Sequence, residues 1–280
     1  MGKKILAISL VLAMVITFGA CGAKTPSAQE IVNGVIQSQN DVKTYQFDMG
    51  MTMAISGESD GESVQGTITM DADGACDLPN TQLRMQMNMT TDITAPEVEE
   101  QAIEMEAYVI GNTVYMLANM EGISSGWMKS EAQAETWKEQ MTQVESQAGL
   151  LQAADVELLG SEKIKGVDCY VLQVTPDLQK LWEIVMQQEA LAMEVPQITP
   201  GAINDIFQSF SIKYWVEKDT YFLAKTDIQM KMELTPQAMG IQDETGQVNL
   251  DMSMTLLAYD YNKAVTITLP PEAQNATEVP

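Results

Sequence analysis

The chain has 280 residues, 15 Lys and Arg against 39 Asp and Glu, a formal net charge of −24, and no histidine. Such a surface repels a polyanion, which excludes nucleic acid as a partner. Without imidazole no Ser-His-Asp or Cys-His nucleophile and no histidine metal site can be built. The apolar fraction of 45% argues against disorder, and the length suffices for a sizeable core.

The chain opens with Lys3 and Lys4, followed by the apolar stretch Ile5 to Phe18. That stretch is too short to span a bilayer of about 30 Å hydrocarbon and has the build of a secretory h-region. Phe18-Gly19-Ala20-Cys21 places two small residues before a cysteine, as in the lipobox of a lipoprotein signal peptide. Residues 1–20 are therefore expected to be removed and Cys21 to carry the acyl chains, with 21–27 as a short tether. Two acyl chains, at about 0.8 kcal/mol per buried CH₂, make a stable anchor on the extracytoplasmic face of the cell membrane.

Ser27-Ala28-Gln29-Glu30 reads as a capping box, and Ile31, Val32, Val35 and Ile36 follow at helical spacing, predicting a helix over 28–43. The period then becomes two. Tyr45, Phe47, Met49, Met51, Met53 and Ile55 alternate with polar and small residues in a half-buried strand. A turn over 56–62 leads to a second strand carrying Val64, Ile68, Met70 and Ala72, and a third carries Leu83, Met85, Met87, Met89 and Ile93. Ile103–Ile110 and Thr113–Met120 flank the hairpin signal Gly111-Asn112. A helix is predicted over 131–151, then strands Val156–Lys163 and Val167–Thr175 around Lys165-Gly166, a helix over 177–192, and a short one from Pro200 to Gln208. The last predicted strands are Phe210–Glu217, Tyr221–Leu234, Val248–Tyr259 and Ala264–Leu269; Pro270-Pro271 closes the domain at 28–270 and 271–280 is expected to be a flexible tail. About eleven mostly antiparallel strands with inserted helices, and no repeated βαβ units, predict a mainly β, α+β fold.

The 21 methionines are an unusual choice for strands, where β-branched residues pack a fixed core better. Met49, Met51 and Met53 share one strand face, as do Met85, Met87 and Met89, then Met230 and Met232, then Met252 and Met254. With Tyr45 and Phe47 they form a candidate apolar ligand lining, or equally a core that uses Met in place of Leu and Val. Cys76 and Cys169 either pair in the exported chain or remain two buried thiols.

Three stretches carry a family resemblance: Gly166-Val167-Asp168-Cys169-Tyr170-Val171-Leu172; Trp215-Val216-Glu217 leading to Leu223-Ala224-Lys225; and Tyr259-Asp260-Tyr261-Asn262 leading to Val265-Thr266-Ile267 and Leu269-Pro270. With the order of elements, they make the chain similar to the bacterial lipoprotein-carrier superfamily of LolA, LppX and LprG. The resemblance implies a curved antiparallel sheet in an unclosed half-barrel, with lid helices on its concave face and acyl chains held there. It transfers no individual ligand residue.

Other motifs lead nowhere. Gly122-Ile123-Ser124-Ser125-Gly126 fits G-x-S-x-G but has no histidine base and no helix directly after it. Asp71-Ala72-Asp73-Gly74 has its glycine too early for a calcium loop. No pair of carboxylates stands out for glycoside hydrolysis. The expectation is thus a non-enzymatic, monomeric, lipid-anchored protein without cofactor or metal that binds or transfers a lipid or other lipophilic ligand. The alternative is a cell-envelope interaction or sensing module with a filled core.

Overall fold

The computed structural model describes residues 25–59, 62–94, 101–120, 123–131, 151, 154–180, 203–238 and 246–279. Helix α1, Ala28–Ser38, begins at the predicted capping box: Glu30 N–H donates to Ser27 Oγ at 3.2 Å, and Ser27 N–H donates to Glu30 Oε2 at 2.7 Å. It stops short of residue 43. The Ser38 hydroxyl is turned back onto the carbonyls of Val35, at 3.0 Å, and Tyr221, at 3.1 Å, and the chain tightens into a 3-10 turn over Gln39–Asp41.

The strands are β1 Thr44–Ser59, β2 Glu62–Asp77, β3 Gln82–Thr94, β4 Gln101–Ile110, β5 Thr113–Met120, β6 Ile123–Ser124, β7 Met128–Glu131, β8 Asp155–Ile164, β9 Val167–Thr175, β10 Phe207–Glu217, β11 Leu223–Leu234, β12 Gly246–Tyr259 and β13 Thr277–Glu278. A four-residue helix, α2 Ile203–Ile206, runs directly into β10. All join one 13-stranded sheet in the order β13-β7-β5-β4-β3-β2-β1-β12-β11-β10-β9-β8, with β6 beside β5. The ends of this order do not meet, so the sheet is an unclosed half-barrel. It consists of two meanders, β1–β7 and β8–β12, joined where β1 pairs β12 from Gln46↔Tyr259 to Ser59↔Gly246.

α1 lies on one face of the β8–β10 end. Its Ile31, Val32 and Val35 pack with Leu151, Leu172, Val174 and Val216, and Tyr170, Ile212 and Tyr214 border them. Burial pushes the Tyr214 phenol up to about 12. On the same face, β2 and β3 approach so closely that a Cβ on Gly66 would lie 2.6 Å from the Ile93 Cα, and one on Gly74 would collide with the Arg84 carbonyl oxygen. Glycine permits the bend there.

The sheet is mostly antiparallel, as expected, with one parallel pair, β13 beside β7, Thr277↔Met128. Several other expectations need correction. The extra strands β6, β7 and β13 have two to four residues, too few to show a period. Residues 264–269 are not a strand: Ile267 turns inward, 9% exposed, but the segment joins no ladder. Residues 271–279 are no loose tail. They form a 3-10 helix, Pro271–Asn275, with Ala273 fully buried, and then β13. β11 starts at Leu223 rather than Tyr221, which sits at φ 60° in the preceding turn. Cys76 and Cys169 are both free and buried. They belong to separate clusters with β1, β12, β11 and β10 between their strands, far beyond the Cα separation of about 7 Å that a disulfide tolerates. The helices predicted over 131–151 and 177–192 fall almost wholly outside the described residues, of which Leu151 and 178–180 are helical. The signal segment and Cys21 also lie outside them.

Burial raises both thiols to about 11. In a Cys21→Ser background, a thiol reagent at pH 8 is expected to leave both unmodified in the folded protein and to modify both in guanidinium. Modification of neither after denaturation would mean a bridge. The approach at Gly66 gives a second expectation. Gly66→Val forces a side chain against the β3 backbone and should cost about 1–3 kcal/mol in a denaturant melt. Gly50→Ala, whose Cβ meets only Asp71 Oδ1 at 3.4 Å, should stay within about 0.5 kcal/mol of the parent.

Candidate functional site: a methionine-rich concave face

Directly opposed residues in a ladder point to the same side of a sheet. The register therefore extends the face beneath α1 across the whole sheet. The rung through Met51 reads Ile228, Met254, Met51, Met70, Met89, Ile103, Met120 from β11 to β5. The rung on one side of it reads Met230, Met252, Met53, Ile68, Thr91, and the rung on the other reads Thr226, Leu256, Met49, Ala72, Met87, Met105, Ala118. Further out lie Met232, Leu250, Ile55, Gly66, Ile93 in one direction. In the other lie Ala258, Phe47, Gly74, Met85, Ala107, Met116 and Met128.

All twelve residues nominated from the sequence as lining thus share one face. Its methionines on these rungs are half-buried, except Met120, which is exposed at 46%. Met70, Met105, Met116, Met120 and Met128 share it too and were not nominated. The parity of each strand held that information, but only register shows that separate strands present the same side. Tyr45 and Phe47 differ from the rest. They pack into a closed cluster with Cys76, Leu83 and Val109, and Tyr45 stacks toward Tyr261 at 5.9 Å, which meets Phe222 at 4.7 Å. These rings form an end wall. Burial holds the Tyr45 and Tyr261 phenols well above the usual tyrosine range, and they stay neutral donors. The Tyr261 hydroxyl donates to the Leu223 carbonyl at 2.7 Å.

From the Phe47 rung to the Gly57 rung, the described inner side chains of β1–β5, β11 and β12 carry no charge. The opposite, convex face carries Asp48, Asp71, Asp73, Glu104, Glu106, Asp227, Lys231 and Asp251. Lys231 Nζ and Asp251 Oδ2 pair there at 2.6 Å in solvent, where such a pair adds under about 1 kcal/mol.

The convex face holds one smaller concavity. A bulge at Gly160 shifts the β8–β9 register, and the hairpin tip crosses the outer side of β12 and β1. Cys169, Val171, Trp215 and Ala224 are buried beneath it, with Trp215 Nε1 donating to Glu162 Oε2 at 2.7 Å. Lys165 Nζ lies 3.0 Å from Asp48 Oδ2 and 3.2 Å from the Tyr259 ring centroid, and the Tyr259 hydroxyl donates to Asp48 Oδ1 at 2.9 Å. A cavity of about 460 Å³ remains between this tip and Glu217, Phe222, Tyr261 and Lys263. Its lysines Lys165 and Lys263 are paired with Asp48 and Asp260.

Among the described residues, no group of three His, Cys, Asp or Glu side chains is placed to hold a metal ion, and no helix is long and apolar enough to cross a membrane.

No curated protein matches the chain. Among solved structures it is similar to the lipoprotein LppX of Mycobacterium tuberculosis, with 12% identity over 85% of this chain and 97% of that one, at a TM-score of 0.42. LprF of Mycobacterium bovis is similar at 15% identity over 87% and 96% of the two chains, with a TM-score of 0.43. An outer membrane lipoprotein-sorting protein domain of Vibrio parahaemolyticus is similar at 11% identity over 85% and 95%, with a TM-score of 0.21. The match by family runs from the capping serine of α1 to the last residue of β13: residues 27–278 fit a family of unknown function, DUF6612, and the chain belongs to that family.

Proposed function

We propose that the protein is a lipid-anchored, extracytoplasmic binding protein that holds a lipid or other lipophilic ligand against the methionine-rich inner face. The observation that carries this reading is the uncharged inner face, continuous over β11, β12 and β1–β5, with its side chains only half-buried by the described residues. An apolar face of that extent needs a cover. Methionine supports the assignment, because its unbranched, polarizable side chain adapts to partners of varied shape. The family resemblance and the lipobox at Cys21 point the same way. No step of covalent chemistry is assigned to the face, which among the described residues offers no charged group on the rungs from Phe47 to Gly57.

Organic extraction of the purified signal-less protein, followed by mass spectrometry, is expected to yield a bound lipid. Met51→Glu places an unpaired carboxylate among Met254, Met70 and Met49 and should abolish lipid recovery. Thr52→Glu points to the opposite face and should keep both lipid and fold, while Met51→Leu nearly conserves volume and should keep lipid. Equal lipid loss in Met51→Glu and Thr52→Glu would overturn the face assignment. Absence of lipid from every preparation, with the face filled by the protein's own side chains, would replace this reading with that of an envelope interaction module. The anchor has its own test. Cys21→Ser in the full chain should abolish metabolic acyl labelling and move the protein to the aqueous phase on detergent partitioning; unchanged labelling would reject it.

A further inference from the structure

Along the β1–β12 seam the inner-face pairs Ile55–Leu250 and Met49–Leu256 flank two consecutive pairs made of four thioethers. Met51 is directly opposite Met254, and Met53 directly opposite Met252. Opposed residues place their Cβ atoms about 4.5–5.5 Å apart, and same-face neighbours on one strand follow at about 7 Å. The four Cβ atoms thus outline a small rectangle, and each sulfur stands two bonds beyond its Cβ, on a chain flexible enough to turn inward. All four side chains are half-buried, not sealed into the core. An adaptable apolar wall uses the flexibility of methionine; the thioether sulfur is a second property of the same side chains.

Neutral thioether sulfurs are soft ligands that favour Cu(I) over Zn(II), Mg(II) or Ca(II). The net charge of −24 raises the local concentration of any cation near the protein. We propose that Met51, Met53, Met252 and Met254 form a thioether site for Cu(I) on the β1–β12 seam. The site stands apart from the lipid reading, because Met→Leu keeps the wall apolar and removes only sulfur.

The test titrates the full-length chain, anaerobically and under reductant, against a chromophoric Cu(I) chelator, alongside the quadruple variant M51L/M53L/M252L/M254L. Both proteins keep the same cysteines, so the difference between them reports the thioethers. The wild type is expected to withdraw about one equivalent of Cu(I) more than the variant. In the wild type labelled with ¹³C at the methionine methyls, Cu(I) is expected to shift the signals of these four residues. Equal Cu(I) withdrawal by the two folded proteins would overturn the site. Should the variant not fold, the labelled wild type decides: Cu(I) uptake without movement of these four methyl signals would overturn the site equally.

Discussion

Backbone pairing across a sheet forces opposed side chains to the same side, and here that constraint links strands far apart in sequence. Because the rungs run unbroken from β11 through β12 and β1 to β5, one residue out of register in any strand would move its charges to the apolar face and its methionines into water. Asp48, Asp71 and Asp251 are outside because Met49, Met70 and Leu250 are inside. The burial of apolar area and the cost of burying a carboxylate favour the same register. The charge of the convex side therefore specifies the fold as well as keeping the protein soluble.

Shape follows from a few exceptions to the regular ladder. Close approaches at Gly66 and Gly74 bring β2 against β3 on the inner side. The bulge at Gly160 sends the β8–β9 tip the other way, over the outside, where Lys165 settles on Asp48 and Tyr259. At the start of β1, Asn262 accepts from the Lys43 N–H at 2.7 Å through its side chain and donates from its own N–H to the Thr44 carbonyl at 2.8 Å. It does so from a left-handed conformation, φ 58°, that asparagine tolerates better than most residues. The turn after β12 is thereby fastened to the strand that β12 pairs with.

Much of this was legible in the amino-acid order. Strict alternation from Tyr45 to Ile55 identified β1 and its inner face, Ser27 and Glu30 identified the start of α1, and Lys165-Gly166 identified a two-residue hairpin. The pairing of Met51 with Met254 was not legible, since alternation gives each strand two faces but no partner. β7 and β13 escaped because strands of two to four residues complete no convincing period. Residues 264–269 misled in the opposite sense: Val265 and Ile267 turn inward on alternate positions without any ladder hydrogen bonds, so side-chain burial produced a strand pattern where the backbone has no partner. Tyr45 and Phe47 have the same parity as the methionines after them, yet the aromatic end wall that encloses them depends on Tyr261 and Phe222, which only tertiary structure brings near.

The seam between β1 and β12 also sets the order in which the molecule can come together. β1 and β2 follow one another directly, but the other neighbour of β1 is made some two hundred residues later, so during synthesis the β1–β7 meander exists with an unpaired inner strand and a bare thioether face. Contacts of such long sequence separation slow folding, because chain entropy is lost before the seam returns any stabilisation. An exposed strand edge beside an apolar surface is also the usual starting point for misassembly. The second meander thus acts on the first as a folding partner carried in the same chain, and the assembly is complete only when the C-terminal segment has returned to lay β13 beside β7.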